Sequence, residues 1–189
     1  GTITRIYGAI ALRDEVRPGT KEIISELHKM GLKVVMLTGD NPQTAKAIAN
    51  ELGIDDFRAG LRPEDKIEAV KELKEKYGDI IMVGDGINDA PALAEATVGI
   101  AMGTIGTDAA IEAADVALMA DDLSKVPYAI SLGKRARRIS TQNIIFSLLI
   151  LAVLIPSALI GIMSVAIAVF VHEASELLAV GNGLRVARG

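Results

Sequence analysis

Two aspartates, Asp85 and Asp89, lie on a glycine-containing turn directly after the apolar run at residues 80–83. The length and β-branched content of that run predict a short buried strand. The glycines allow a sharp turn and a close approach of the backbone to a ligand. Carboxylates in this position suit Mg²⁺, which takes one or two carboxylates together with phosphate oxygens and water. The alternative is a solvated strand-to-helix loop, where Gly, Asn and Asp are common.

A second loop of the same kind follows another apolar run. Residues 33–37 (KVVML) predict a short buried strand, and Thr38, Gly39 and Asp40 come directly after it. Strands and helices alternate in this part of the chain, which predicts a mostly parallel sheet covered by helices. The loops at the carboxyl ends of such strands form the site. We therefore expect the two loops to face the same crevice.

The elements that must hold these loops are short. The sequence predicts strands at residues 3–12, 33–37, 80–83, 97–101 and 116–119. It predicts helices at residues 18–30, 42–52, 63–77, 90–95 and 108–114. Proline near a helix start and glycine just past a helix end support several of these bounds. The sequence predicts no strand between residues 53 and 62.

Charge is distributed unevenly along the 189 residues, whose formal net charge is −4. Residues 144–171 carry no charged side chain. One long helix is predicted from Ser124, and residues 141–185 can hold two membrane spans of about 20 residues each, with a turn near residues 156–161. The alternative is a buried hydrophobic hairpin in a soluble protein. The absence of cysteine excludes a disulfide framework and thiolate metal sites within these residues.

Basic residues flank the apolar segment on both sides. Those before it are Lys134, Arg135, Arg137 and Arg138, and those after it are Arg185 and Arg188. Cytoplasmic flanks of membrane helices carry an excess of Lys and Arg. We therefore expect a multi-pass protein of the cell membrane, with the soluble part and both ends of the hairpin in the cytoplasm.

Three ionisable side chains, His172, Glu173 and Glu176, fall inside the second apolar span. A charged side chain in lipid costs about 2.5–3.5 kcal/mol on insertion scales, so such groups face a bundle interior. His172, Ser175 and Glu176 share one helix face, and imidazole with carboxylate suits Zn²⁺ and similar divalent ions. We expect His172 and Glu176 to bind a metal ion, with Ser175 beside them and Glu173 as a weaker candidate. The alternative is a structural polar patch that bonds a neighbouring helix.

Six segments resemble one family in order and spacing. They are DEVRP at 14–18, MLTGDN at 36–41, RPEDK at 62–66, VGDGINDAPA at 83–92, VGIAMG at 98–103 and NGLR at 182–185. Together they resemble the C-terminal part of a P-type cation-transporting ATPase of the heavy-metal class. The resemblance implies an α/β haloacid dehalogenase-like (Rossmann-like) phosphorylation domain, followed by an α-helical transmembrane hairpin. It assigns residues 1–123 to that domain, 124–140 to a stalk helix, and 141–160 and 161–185 to the last two transmembrane helices.

The resemblance also implies roles for individual residues. Thr38, in the loop with Gly39 and Asp40, would bind the transferred phosphoryl group, and Lys66 would neutralise charge on it. Position alone favours a solvated helix charge for Lys66. The remaining roles are Mg²⁺ binding by Asp85 and Asp89, orientation of its waters and the phosphate by Asn88 and Asp89, and a hinge to the nucleotide-binding domain at Asp14 and Arg17. The segment HEASE at 172–176 resembles the zinc/cobalt-type subgroup, from which it departs at Ala174 and Glu176, where Gly and Thr are usual.

The function implied is ATP-driven export of a divalent transition metal, zinc- or cobalt-like, through an aspartyl phosphate. Mg²⁺ and ATP would be required, the ATP being bound mainly by a nucleotide domain outside these residues. The expected partners are the lipid bilayer, the transported ion and the rest of the same polypeptide, and no nucleic acid. The family's Asp-Lys-Thr-Gly-Thr nucleophile motif does not occur here, so this chain alone is expected to be inactive. The alternatives are a membrane-anchored phosphatase of the haloacid dehalogenase type, which requires an N-terminal Asp-x-Asp, and a non-enzymatic metal-binding membrane module.

Overall fold

The computed structural model describes residues 16–84, 88–103, 113–119 and 122–188. The predicted strand at residues 3–12, Asp14, Asp85 and most of the predicted helix at residues 108–114 lie outside these ranges. The chain divides into two compact units, residues 1–125 and residues 126–189.

The first unit alternates short parallel strands with helices. Its helices are α1 (Thr20–Lys29), α2 (Pro42–Leu52), α3 (Pro63–Tyr77) and α4 (Ala90–Glu95). Its strands are β1 (Val35–Leu37), β2 (Asp56–Arg58), β3 (Ile81–Gly84), β4 (Val98–Met102) and β5 (Val116–Leu118). In the described residues, β1 pairs with β2, and β4 lies between β3 and β5, all parallel. The predicted α/β class with parallel pairing is confirmed.

The bounds of α2 follow from capping groups that the sequence displays. The Asn41 side chain accepts hydrogen bonds from the backbone N–H groups of Gln43 and Thr44, at 3.0 and 2.9 Å. Pro42 occupies the first helical position, where its missing N–H costs nothing. Gly53, with φ +75°, ends the helix in the left-handed conformation that glycine favours. For these reasons α2 has the bounds that the sequence predicts.

Helix α1 begins two residues later than predicted. Pro18 was expected to open it, but the residues before Thr20 form a turn. The Thr20 hydroxyl donates to the Arg17 carbonyl at 2.7 Å, and Gly19 has φ +80°, which no α-helix contains. The turn therefore replaces the first predicted turn of helix.

Strand β2 is the element that the sequence prediction missed. Its three residues have two charged side chains, Asp56 and Arg58, whose ion pair measures 3.0 Å. Such a segment lacks the apolar run that marks a buried strand. A better signal was the succession of two predicted helices, α2 and α3, because a parallel sheet requires a strand between them.

One apolar core joins both sheets of this unit. Its buried members are Val70 of α3 and Ala92 and Ala96, at the start and just past the end of α4. Partly buried side chains packed against them are Leu37, Ile67, Ile80 and Met82. The core therefore fixes β1, α3, β3 and α4 relative to one another.

Asp55 makes an acid-sensitive contact in the first unit. Its carboxylate accepts the Val34 N–H at 2.7 Å and lies 2.9 Å from Nε2 of His28. The Val34 hydrogen bond, with smaller help from His28 and against some desolvation, holds the pKa of Asp55 below its ordinary value of 3.8. A lowered pKa in the folded state stabilises the protein above the ordinary value, and this contribution is lost as pH falls through the folded-state pKa.

We expect Asp55→Asn to lower the thermal unfolding temperature near neutral pH and to make it less dependent on pH below 3.8, the ordinary pKa. Unfolding curves recorded at a series of acidic pH values measure both effects. Asp79→Asn, a change at an exposed carboxylate of the same unit, is the matched control. An unfolding temperature that falls with acid equally steeply in Asp55→Asn and the unmodified protein would contradict this account.

The second unit consists of two long apolar helices. They are α5 (Lys125–Leu159) and α6 (Val165–Gly183), and a 3₁₀ helix (Leu184–Arg188) follows α6. Both are long and apolar enough to cross a membrane, and few of their side chains are buried. The turn predicted near residues 156–161 lies slightly later. Helix α5 continues through Pro156 to Leu159, and the chain reverses at residues 160–164, where Gly161 has φ +75°.

Candidate phosphoryl-transfer and metal sites

The Thr38–Asp40 loop is held in shape by its own hydrogen bonds and by a second loop. The Thr38 hydroxyl donates to the Asp40 carboxylate at 2.9 Å and accepts the Asp40 N–H at 3.1 Å. The N–H groups of Gly60 and Leu61 donate to the carbonyls of Asp40 and Thr38, at 2.7 and 3.0 Å. The loop therefore leaves β1 in a fixed conformation, with a hydroxyl and a carboxylate at its tip.

The two loops approach each other closely at Gly39, which gives a steric reason for a glycine at this position. A Cβ added at Gly39 would lie 3.3 Å from the Leu61 carbonyl oxygen, tighter than an ordinary van der Waals contact. A side chain here would push the second loop away and weaken its hydrogen bonds to Thr38 and Asp40.

Lys66 and Asp89 form an ion pair between α3 and the turn before α4. The Lys66 Nζ lies 2.6 Å from Oδ1 of Asp89, and the two side chains are only 20% and 13% exposed. Charges this far from water are retained when each has a partner. The partly buried pair excludes the alternative that Lys66 is merely a solvated helix charge.

Gly84 makes room for Asp89, which sequence reasoning did not foresee. A Cβ added to Gly84 would lie 2.7 Å from Oδ2 and 2.8 Å from Cβ of Asp89. Atoms do not approach this closely, so any side chain at position 84 must displace Asp89. Sequence reasoning assigned Gly84 a sharp turn and a close approach to a ligand, because a sequence does not show which side chain crosses a strand end.

One shared core holds the elements that carry these groups. Leu37, directly before Thr38, and Ile67, directly after Lys66, pack against the same buried cluster as Met82 of β3. Ala92, one turn of helix after Asp89, is itself a member of that cluster. Thr38, Lys66 and Asp89 therefore extend from elements that one core holds together, as the prediction of a common crevice requires.

We expect Gly84→Ala to separate Asp89 from Lys66 and to impair any reaction that needs the pair. An added methyl group costs about 1–3 kcal/mol in a well-packed region, and here it falls on a charged partner. The measurement is the thermal unfolding temperature together with the phosphorylation rate of the full-length protein. Gly133→Ala, at a glycine whose Cβ would meet nothing within 4 Å, is the control. Unchanged stability and rate in Gly84→Ala would contradict the close approach.

Of the other residues predicted for this site, the structure describes some and not others. Asn88 lies on the exposed turn next to Asp89, while Asp85 and Asp14 lie outside the described residues. Arg17 lines a surface cavity of about 320 Å³ between α1 and the end of α2, together with Thr20 and Glu51. The magnesium and hinge roles of these residues stay predictions.

Two of the three ionisable residues in the second apolar span form a pair on α6. His172 Nε2 lies 3.4 Å from Oε1 of Glu176, one helical turn away. Ser175 is buried, and its hydroxyl donates to the His172 carbonyl at 2.7 Å. Glu173 is exposed. The structure thus places His172 and Glu176 side by side and directs the Ser175 hydroxyl to the backbone.

This pair does not amount to a complete metal site. Among the described residues, no group of three or more His, Cys, Asp or Glu side chains lies close enough to bind one ion. A tetrahedral zinc site needs three or four ligands. The metal-binding role of His172, Glu173, Ser175 and Glu176 therefore stays a prediction that requires ligands beyond this pair.

Comparison with known proteins agrees with this architecture. Residues 2–97 match the family of haloacid dehalogenase-like hydrolases. The probable cation-transporting ATPase G of Mycobacterium tuberculosis H37Rv is 50% identical over 97% of this chain and 24% of its own length. The probable cadmium-transporting ATPase of Alkalihalophilus pseudofirmus is 47% identical over 100% of this chain and 26% of its own length.

A solved structure aligns with most of this chain. The crystal structure of a zinc-transporting PIB-type ATPase in the E2.Pi state aligns with a TM-score of 0.84 and 42% identity, over 92% of this chain and 28% of that chain. The chain thus spans about a quarter of the length of the relatives that it matches. The resemblance seen in the sequence is confirmed. The chain belongs to the haloacid dehalogenase-like hydrolase family, and it matches the phosphorylation domain and transmembrane helices of PIB-type ATPases.

Proposed function

We propose that this chain is the C-terminal part of an ATP-driven exporter of divalent transition metals that works through an aspartyl phosphate. The observation that carries the proposal is the partly buried Lys66–Asp89 pair, built on the same core as the Thr38 loop. Phosphoryl transfer requires positioning and charge neutralisation more than covalent help from the protein. A partly buried cation and a hydroxyl-bearing loop, held by elements of the same core, can supply both.

Each residue of the site has a chemical task in this proposal. The Thr38 hydroxyl donates to a phosphoryl oxygen, for which it exchanges its present bond to Asp40. Lys66 neutralises charge on the transferred group and is held in place by Asp89. The phosphorylated aspartate and most of the ATP-binding surface belong to parts of the polypeptide outside these residues. Residues 1–123 would supply the supporting half of the phosphorylation site, and residues 124–140 would couple it to the two spans.

The residues present fit a magnesium ion. Asp89 has a second carboxylate oxygen besides the one that pairs with Lys66, and hard carboxylate oxygens are the ligands that Mg²⁺ prefers. Asp85 and Asp89 would hold the ion, with Asn88 orienting its waters. When bound, Mg²⁺ neutralises charge on the phosphate oxygens.

The transported ion is a divalent transition-metal cation such as zinc, cobalt or cadmium. Imidazole and carboxylate, which His172 and Glu176 supply, suit these ions better than soft Cu⁺. Glu173 and Ser175 are the further candidates on the same helix. The relatives named for zinc and cadmium transport support this choice.

Uptake into sealed vesicles tests the proposed function. Inside-out vesicles that contain the full-length protein should accumulate zinc or cadmium when ATP and Mg²⁺ are added outside. Vesicles with an Asp89→Asn variant should accumulate much less, because Lys66 loses its charged partner. ATP-independent uptake, or none with any divalent transition metal, would contradict the proposal.

We expect both ends of the α5–α6 hairpin to lie in the cytoplasm. The basic residues before the apolar part of α5 and Arg185 after α6 predict this orientation. Single cysteines at Ser140, Ser157 and Gly189 test it, since residues 1–189 contain no other cysteine. A membrane-impermeant reagent added outside should label only position 157. Labelling of position 189 from outside would mean that the chain crosses the membrane once.

A further inference from the structure

Three side chains form a chain of hydrogen bonds from the end of α6 to α5. The Arg185 guanidinium donates to Oδ1 of Asn182 at 2.9 Å, and Asn182 Nδ2 donates to Oδ1 of Asn143 at 2.8 Å. Asn143 Nδ2 then donates to the Ala179 carbonyl at 2.9 Å. Asn143 lies on α5 and the other groups on or just after α6. The bonds therefore link the two helices of the hairpin.

The groups at the two ends of this chain of hydrogen bonds allow only one orientation of each asparagine amide. Arg185 has only donors, so it binds the oxygen of Asn182 and leaves the Asn182 NH₂ for Asn143. The Ala179 carbonyl is only an acceptor, so it takes the Asn143 NH₂ and leaves the Asn143 oxygen for Asn182. Each amide therefore uses its donor and its acceptor, and flipping either one would break both of its bonds.

This network holds a pair of helices that otherwise pack sparsely. Few side chains of α5 and α6 are buried, and their backbones approach each other at few positions. Apolar side chains facing lipid give no preference for one register, since lipid tails are as apolar as leucine. A polar link between two helices does give such a preference, because sliding or rotating α6 leaves amides unpaired in an apolar setting.

The link lies on the side of α6 that carries His172. Ala179 is two turns further along the helix, about 10 Å away along the axis and within about 20° of His172 around it. Ser175 lies between them, is 6% exposed and bonds the His172 carbonyl. A shift of α6 at Ala179 would therefore move His172 by a similar amount.

We propose that Asn143 and Asn182 are positioning residues that set the register of α6 against α5 and thereby hold His172 in place for the transported ion. This inference rests on the proposed function. It gives Asn182 and Arg185, which belong to the NGLR segment, a task that differs from binding the ion. In the proposed function, neither asparagine is a ligand of the metal or the phosphoryl group.

The test compares Asn143→Ala, Asn182→Ala and the double variant in the full-length protein. We expect the zinc concentration for half-maximal ATP hydrolysis to rise by about three- to twentyfold in each single variant, the range for one interhelical hydrogen bond in a membrane. The double variant should need no higher zinc concentration than Asn143→Ala, because both residues belong to one network. The maximal rate and phosphorylation by inorganic phosphate should change little. Gln142→Ala, at the exposed neighbour of Asn143, is the matched control and should behave like the unmodified protein.

The outcomes separate this inference from the proposed function. If zinc, cadmium and cobalt fail to stimulate the unmodified protein, the proposed function is wrong. If the unmodified protein is stimulated and the variants need the same zinc concentration, the positioning role is wrong. If Asn143→Ala also loses phosphorylation by inorganic phosphate, that variant has a folding defect, and the result for Asn182→Ala then tests the inference. Asn182→Ala is the milder change, because it leaves the Asn143–Ala179 bond in place. Loss of both activities together in both variants would also overturn the inference, because it would show a role in folding alone.

Discussion

Lys66→Ala in the full-length protein should lower the rate of phosphorylation from ATP by about 10²-fold or more, the usual cost of removing one preorganised charge-stabilising group. Lys66 is 20% exposed and lies 2.6 Å from Asp89, which is 13% exposed. Without it, the transferred phosphoryl group lacks its cation and the Asp89 carboxylate is left without a compensating charge. The rate of label transfer from γ-labelled ATP measures the effect.

Lys71→Ala is the matched control for this experiment. Lys71 is on the same helix, α3, but is exposed, and we expect its loss to leave the rate unchanged. Thermal unfolding of both variants shows whether Lys66→Ala retains its fold. A folded Lys66→Ala protein that is phosphorylated at the normal rate would contradict the role of the Lys66–Asp89 pair.

His172→Ala should abolish the stimulation of ATP hydrolysis by zinc or cobalt while leaving phosphorylation by inorganic phosphate intact. In the proposed function, the first activity requires a filled metal site, whereas the second requires only the site around Thr38 and Lys66. His172 and Glu176, the ligands that we propose, lie 3.4 Å apart on α6. Losing one of very few ligands removes most of the affinity for a divalent ion.

Measuring both activities in the same preparation separates a metal-binding role from a structural one. Leu177→Ala, at an exposed position of α6 next to Glu176, is the control and should keep both activities. If zinc and cobalt still stimulate the double variant His172→Ala/Glu176→Ala, this helix face is structural. Loss of both activities in His172→Ala would instead point to a folding defect.

The sequence predicted those parts of the fold whose signals are local. Helices α2, α3 and α4 have the predicted bounds, because caps, prolines and glycines act within a few residues. Strand β2 was missed because its pairing with β1, rather than its own composition, makes it a strand. The start of α1 was placed too early, because Pro18 suits a turn as well as a helix start.

The candidate site was predictable in its residue types but not in its contacts. The Thr38 loop and Asp89 follow apolar runs, and their position at strand ends is a consequence of parallel pairing. That Lys66 pairs with Asp89 depends on how α3 packs against α4, which no local pattern shows. The same is true of Asn143 and Asn182, which are far apart in the sequence and meet only because the hairpin folds back on itself.

Labelling of the full-length protein with γ-labelled ATP across a zinc titration tests the central claim most directly, because it joins the soluble site to the metal site in one measurement. We expect an acid-stable phosphoenzyme whose level rises with zinc or cadmium and is much lower in Asp85→Asn, which lacks a carboxylate for Mg²⁺. A level of label that no divalent transition metal changes, or a normal level and Mg²⁺ dependence in Asp85→Asn, would contradict the account.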